Sequence, residues 1–337
     1  MRGKAVVVTI RMVAEKCGMS VAAVSRALNF RTGVSPEKAE EIRQVAREMG
    51  YCPNEAARTL KTSRSHNIGV LYHNMLTHEF FSTVLEGIHC EAGERGYEIT
   101  FLNNGPGMSY YEHAQRRQCA GVIIAQGPFD HNTVIPLLES SMPVVSIEFD
   151  YPGRTVVRND NVAAMEESIH YLCGMGHRRI AFIHGDPCQV TSERLTGFYR
   201  GCRAEGISVP DGYVVPAHYR MCAASALATR RLMGLSRPPS CILYPDDMSY
   251  IGGLEELERM GLSVPEDVSC FGFGGVSLVT VMRPVLSTYF QDGKEMGRVA
   301  AREIISAIED PRCYAARPMI VPGRLMPGGT VRDLNHE

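Results

Sequence analysis

Thr9-Ile10-Arg11-Met12-Val13-Ala14-Glu15-Lys16-Cys17-Gly18-Met19-Ser20-Val21-Ala22-Ala23-Val24-Ser25-Arg26-Ala27-Leu28-Asn29 is the stretch whose spacing decides how the chain begins to fold. Thr9 can cap a first helix that carries Ile10, Val13 and Ala14. That helix stops at Cys17-Gly18, where glycine suits a helix end. Ser20 can cap a second helix, Val21 to Leu28, whose inward stripe is Val24, Ala27 and Leu28. Only Met19 and Ser20 separate Gly18 from Val21. A helix, a glycine turn and a second helix at this distance make a helix-turn-helix.

A third helix is expected next, capped by Ser35 with Pro36 at its first position and stopped by Gly50. Ala39, Ile42, Val45, Ala46 and Met49 give it an apolar stripe. The second helix should present Val21, Ala22 and Arg26 outward. Val21 and Ala22 are short and apolar and suit a thymine methyl; Arg26 is the one long donor and suits a guanine edge. Thr9, Ser20, Ser25 and Asn29 are placed to hold phosphates. A helical hairpin serving protein contacts would share this pattern.

Charge favours the nucleic-acid alternative. Residues 1–64 carry twelve Lys and Arg against six Asp and Glu, while the remainder carries 23 against 31. A basic head on an acidic body is the footprint of a polyanion-binding module. Residues 54–65 then read as a short helix or a plain linker. Ala57, Leu60 and Lys61 there have the composition of a minor-groove wedge, an apolar side chain beside basic ones.

From residue 66 onward, near-continuous apolar runs alternate with amphipathic stretches. Runs at 68–72, 97–102, 121–124 and 143–147 are separated by expected helices near 80–94, 109–118 and 131–140. A second set has runs at 179–183, 213–215, 241–244 and 268–272, with helices near 193–205, 222–234 and 248–260. This alternation means parallel sheets covered on both faces. The expected fold is therefore α/β: an all-α helix-turn-helix head plus two doubly wound parallel-sheet lobes. Ligands in such sheets bind outside the carboxyl ends of the strands.

Composition excludes other classes. With 337 residues, 45% apolar and 21% charged, the chain has the makings of ordinary globular domains and not of a disordered or fibrous chain. No uninterrupted apolar stretch is long enough for a membrane span, and Arg11 breaks the apolar start, so neither an anchor nor a signal peptide is expected. The 11 cysteines are scattered without a C-x-x-C pair, which argues against a disulfide framework or zinc ribbon and fits a cytoplasmic location.

The chain resembles the LacI/GalR family of bacterial transcription regulators. The resemblance runs from Thr9 to about Asp310 and is strongest in the stretch quoted above. It continues in Val34-Ser35-Pro36-Glu37, Gly50-Tyr51-Cys52-Pro53-Asn54 and Ala57-Arg58-Thr59-Leu60. Farther on it includes Phe80-Phe81, Gly176 to Ile183, Glu193 to Phe198 and Val264 to Ser269. The resemblance implies a homodimer on a pseudo-palindromic operator in double-stranded DNA, a hinge wedge at Leu60, and a cleft for a small-molecule effector. It implies no enzyme activity, cofactor or metal. The implied domains are 1–53 (head), 54–65 (hinge), 66–165 with 291–323 (N-lobe) and 166–290 with 324–337 (C-lobe).

Effector positions carry over residue by residue. Phe80 and Phe81 match a ligand wall, Arg194 the family arginine that reaches ligand hydroxyls or carboxylate, and Asp160 with Asn161 a pair near the lobe crossover. Asp246 stands where many members carry Asn. The main departure is Gly272-Phe273-Gly274-Gly275, where the family has an acidic residue at the position of Gly274. Asp246-Asp247 also reads as a helix N-cap, and Gly272 to Gly275 lacks the third glycine of a dinucleotide loop. A solute-binding protein without a regulatory role is the competing assignment; the basic head argues against it.

Overall fold

The computed structural model describes residues 8–28, 33–51, 65–72, 79–102, 108–126 and 131–335. The chain divides into two compact units, Met1–Ser65 and His66–Glu337.

In the first unit, α1 (Ile10–Lys16), α2 (Val21–Leu28) and α3 (Pro36–Glu48) each start on a hydroxyl cap. Thr9 Oγ1 accepts from the Met12 amide at 3.4 Å, Ser20 Oγ from Ala23 at 3.2 Å, and Ser35 Oγ from Lys38 at 3.3 Å. Each bond satisfies an amide that the helix itself leaves unpaired. Gly18 turns the chain between α1 and α2 at φ +62°, a left-handed conformation suited to glycine. Val13, Ala14, Val24, Ala27, Ala39, Ile42 and Ala46 form the core. Leu28, Val45 and Met49, expected inside, sit half-buried at its rim. Ala23 is buried as well, since a core this small is closed by alanines.

The second unit holds two six-stranded sheets. The first set of elements is β1 (Asn67–Tyr72), α4 (Glu79–Glu94), β2 (Glu98–Leu102), α5 (Tyr110–Arg116), β3 (Gly121–Gln126), α6 (His131–Leu138), β4 (Val144–Ile147) and β5 (Thr155–Arg158). The chain then crosses to α7 (Asn161–Gly174), β6 (Ile180–His184), α8 (Gln189–Ala204), β7 (Val214–Pro216) and α9 (Cys222–Met233). It continues through β8 (Cys241–Leu243), α10 (Asp247–Arg259), β9 (Ser269–Gly274), α11 (Ser277–Val281) and β10 (Ser287–Phe290). It returns for α12 (Gly293–Glu309) and β11 (Pro318–Ile320), and crosses last to β12 (Arg324–Met326).

The first sheet runs β11-β5-β4-β3-β1-β2, all parallel. The second runs β12-β10-β9-β8-β6-β7, parallel except for the antiparallel β12 edge. Successive strand residues feed opposite faces, as the two-residue period requires. Ile68, Val70 and Ile123 pack beneath α4 and α12, while Leu71, Val122 and Ile124 pack beneath α5 and α6. Truncating a side chain as buried as Ile123 to Ala costs about 2–5 kcal/mol. The α4–α12 contact rests on two glycines. A Cβ on Gly87 would lie 2.0 Å from the Lys294 carbonyl oxygen, and one on Gly297 would lie 2.0 Å from that of Val84.

One boundary needs correction. Residues 161–165 were expected in the N-lobe, but they open α7, which packs on α8. Ala164 and Met165 are buried in the second sheet's core with Phe182 and Phe198. Burial of that apolar face sets the crossover just after β5.

Candidate functional site

The head presents its predicted surface on α2. Val21, Ala22 and Arg26 are exposed, and Ser25 is half-buried. Arg26 is exposed, and its side chain passes beside Gly33, where a Cβ would lie 3.5 Å from Arg26 Cδ and Nε. The hydroxyls of Thr9 and Ser20 accept helix amides, which leaves each O–H free in direction to donate to a phosphate. Asn29, Ala57, Leu60 and Lys61 lie outside the described residues. One positioning residue was not visible in the sequence. Arg43 of α3 donates from Nη1 to the Ala27 carbonyl at 3.1 Å and so fixes the carboxyl end of α2.

In the second unit, the carboxyl ends of β4, β6, β8 and β9 converge on one cavity of about 540 Å³. This is the size of a small-molecule site. Phe80 and Phe81, at the start of α4, form part of the wall, their rings 5.1 Å apart and edge to face. Phe149, Tyr219 and Phe273 add further aromatic surface.

Arg194, on α8, is only 5% exposed and lines this cavity. Its Nε donates to Asn161 Oδ1 at 3.0 Å, Nη1 to the Pro245 carbonyl at 2.9 Å, and Nη2 to Gln291 Oε1 at 3.4 Å. Its guanidinium carbon lies 3.5 Å from the centroid of the Phe273 ring. Three acceptors and an aromatic face thus hold the cation in place.

Asp246 lines the cavity and caps α10. It accepts from the amides of Ser249 and Arg220, both at 2.8 Å, and from Ser249 Oγ at 2.9 Å. Burial raises its pKa, and hydrogen bonds together with Arg194 oppose the shift. Asp160 stands elsewhere: it is exposed, absent from the cavity wall, and caps α7 by accepting from Ala163 at 2.9 Å. Its neighbour Asn161, 1% exposed, is the member of the pair that touches Arg194.

Gly274 supplies no side-chain acceptor, and Asp247 fills the space beside it. A Cβ at Gly272 would lie 2.3 Å from Asp247 Oδ1, and one at Gly274 would lie 3.5 Å from Oδ2. Asp247 accepts from Thr288 Oγ1 at 2.6 Å and from the amides of Gly275 at 2.6 Å and Val276 at 2.9 Å. Burial pushes this carboxyl up to about 6 against those three hydrogen bonds, and neighbouring Asp246 raises it further.

Sequence reasoning also missed Glu148. It sits after β4 at φ +55°, accepts from the Asn159 amide at 2.9 Å and from Asn161 Nδ2 at 3.1 Å, and has its pKa raised by burial. No motif marks it, because its role depends on a chain crossing and not on a local pattern. The lobes are further tied by Arg158 to Glu193 at 2.9 Å and by the Ser277 amide to Glu79 at 2.6 Å.

Comparison with known proteins gives the family. Residues 9–54 match bacterial regulatory proteins of the lacI family, and residues 169–331 match the periplasmic binding protein-like domain. The HTH-type transcriptional repressor CytR of Escherichia coli is 30% identical over 299 residues, 87% of each chain. A LacI-type regulator from Bacillus cereus subsp. cytotoxis superposes with a TM-score of 0.72 at 28% identity, covering 79% of this chain and 98% of that one. The lac repressor dimer bound to operator and the anti-inducer ONPF has a TM-score of 0.80 at 20% identity, covering 96% of this chain and 99% of that one, a likeness of fold. A helix-turn-helix head with an exposed second helix, joined in one chain to a two-sheet body with a ligand-sized cleft, belongs to the LacI family of bacterial regulatory proteins, DNA-binding transcription regulators and not enzymes.

Proposed function

We propose that the protein is a cytoplasmic repressor that binds a pseudo-palindromic operator as a homodimer and answers to a small effector in the cleft. The exposed row of Val21, Ala22 and Arg26 on a helix whose other face is buried carries this reading. In it, these three residues meet base edges, with Arg26 donating to a guanine. Thr9, Ser20, Ser25 and Asn29 hold phosphates and set register. Ala57, Leu60 and Lys61 form the minor-groove element of residues 54–65, with Leu60 as the wedge.

In the cleft, Phe80 and Phe81 wall the effector while Arg194 and Asp246 bound its polar side. Asp160 acts through the end of α7, where it orients Asn161, and not by touching the ligand. A ligand that prefers one arrangement of the lobes shifts the affinity for operator by that preference, which is coupling between two distinct sites. Gel retardation of genomic fragments at low salt tests this reading, followed by sequence selection with the parent and Arg26→Ala. Retention of a discrete fragment is expected, with relaxed preference at one base per half-site in the variant. Failure to retain any fragment would refute it.

A further inference from the structure

Three successive backbone amides follow β9, and carboxylates from both lobes share them. Gly274 and Gly275 turn the chain at φ +126° and +75°, left-handed conformations suited to glycine. A Cβ on Gly275 would also lie 2.5 Å from Cδ2 of Phe290. The turn presents the amides of Gly275, Val276 and Ser277 in a row, an arrangement that draws anionic groups. Asp247, of the same lobe, takes the first two on Oδ2 at 2.6 and 2.9 Å. Glu79, of the other lobe, takes the third. Its Oε1 accepts from the Ser277 amide at 2.6 Å and its Oε2 from Ser277 Oγ at 3.0 Å, a two-point, charge-assisted contact.

This tie differs from others between the lobes. Arg158, Asn161 and Gln291 stand at crossovers, which join the lobes covalently in any arrangement. Glu79 opens α4 and Ser277 opens α11, 198 positions apart, so their contact lasts only while the lobes keep their present approach. It also lies at the cavity wall: Phe80, just after Glu79, and Val276, just before Ser277, line the cavity from opposite lobes. The backbone on each side is held. A Cβ on Gly293 of α12 would lie 2.4 Å from Thr83 Oγ1 and 2.9 Å from the Phe80 carbonyl oxygen, and Thr83 Oγ1 donates to that carbonyl at 2.7 Å. With the start of α4 seated on α12 and residues 275–276 fixed by Asp247, a change of lobe spacing falls on the Glu79–Ser277 pair.

We propose that Glu79 is a positioning residue that clasps Ser277 and sets how far the cleft opens. This deepens the regulatory reading above and rests on it. An effector that touches Phe80 and Val276 draws together the two elements that the clasp joins, so clasp and effector favour the same arrangement of the lobes. Without the clasp that arrangement is less populated, and an effector must supply the difference from its own binding energy.

The chain has no tryptophan, so Phe149→Trp, on the cavity wall, introduces a single indole as reporter. Acrylamide quenching of its emission in the full-length chain tests the proposal. In that background Glu79→Ala and Ser277→Pro should each raise the quenching constant about twofold or more, as the closed population falls. Glu79→Gln keeps an oxygen acceptor and should stay close to the parent. Ser277→Pro removes both donors at the first position of α11, where proline is accepted, and Val276 at φ −66° and ψ 149° already has the extended conformation required before a proline. Circular dichroism checks that each variant is folded; should Ser277→Pro not fold, the contrast between Glu79→Ala and Glu79→Gln decides. Unchanged quenching in Glu79→Ala, or equal opening in Glu79→Ala and Glu79→Gln, would overturn the proposal. Operator retardation by the same preparations is read separately, so a cleft that fails to open leaves the repressor reading intact.

Discussion

The exposed face of α2 and the cleft of the second unit solve opposite problems. On α2, Val21, Ala22 and Arg26 are exposed. In the cleft, Arg194 and Asp247 are buried, Asp246 is half-buried, and all three are already committed to partners from several elements. A surface that meets DNA can recruit its contacts from water at little cost, because exposed groups lose and regain hydrogen bonds of similar strength. A buried site has no such exchange, so its polar groups must be satisfied by the fold before any ligand arrives. Mutations should therefore separate cleanly: recognition without stability in the head, stability together with recognition in the cleft.

The largest effect is expected from Arg194→Ala. It strips a donor from Asn161, Pro245 and Gln291 and leaves Glu148 and Asp246 without their nearby cation. Denaturant unfolding should show a loss of about 3–5 kcal/mol in the body. A stable variant that has merely lost its ligand response would break the contrast between the two regions.

Asp247→Asn comes next and works through pH. The carboxyl ordinarily titrates near 3.8 and is pushed up to about 6 in the fold. A folded value above the unfolded one favours the folded state below about 3.8. That contribution is lost as pH rises through about 6, a loss of about 3 kcal/mol by neutral pH. The asparagine should behave like the protonated acid and flatten the stability profile between those two values. An unchanged profile in urea melts across that range would show that Asp247 is not the group responsible.

Arg26→Ala should leave the melting temperature of the head where it was and remove about 1–3 kcal/mol of discrimination at one base. A matching loss of stability would place Arg26 in the fold rather than at the interface. Ser35→Ala is the smallest, a loss of about 1 kcal/mol from the cap of α3, read by thermal melting. Any loss of base preference there would mean that α3 steers α2 through Arg43 more tightly than its one bond to Ala27 indicates.

These contrasts explain what could be read from the sequence. The head was legible because its signals are local: Thr9, Ser20 and Ser35 cap the helices they precede, and Gly18 and Gly50 close them. The strands of the body were legible as apolar runs, apart from pieces such as β5, β10, β11 and β12. Those are three or four residues long and draw their place from neighbours far along the chain. In the cleft, Arg194 and Phe80 could be named from resemblance. Glu148, Asn161, Asp247 and Gln291 act through partners 11 to 97 residues away, a distance no periodicity records. Gly274 stands where the family has an acid, and only the fold shows Asp247 beside it.

The threefold crossing between the sheets has a consequence for synthesis. The first sheet cannot finish before α12 and β11, and the second waits for β12 at residues 324–326. The head has its three helices once residue 48 is made. A ribosome that stops early would release a nearly finished operator reader attached to a receptor that cannot close either of its cores. Any surviving fragment of that kind would hold DNA, if it held it at all, without listening to metabolites.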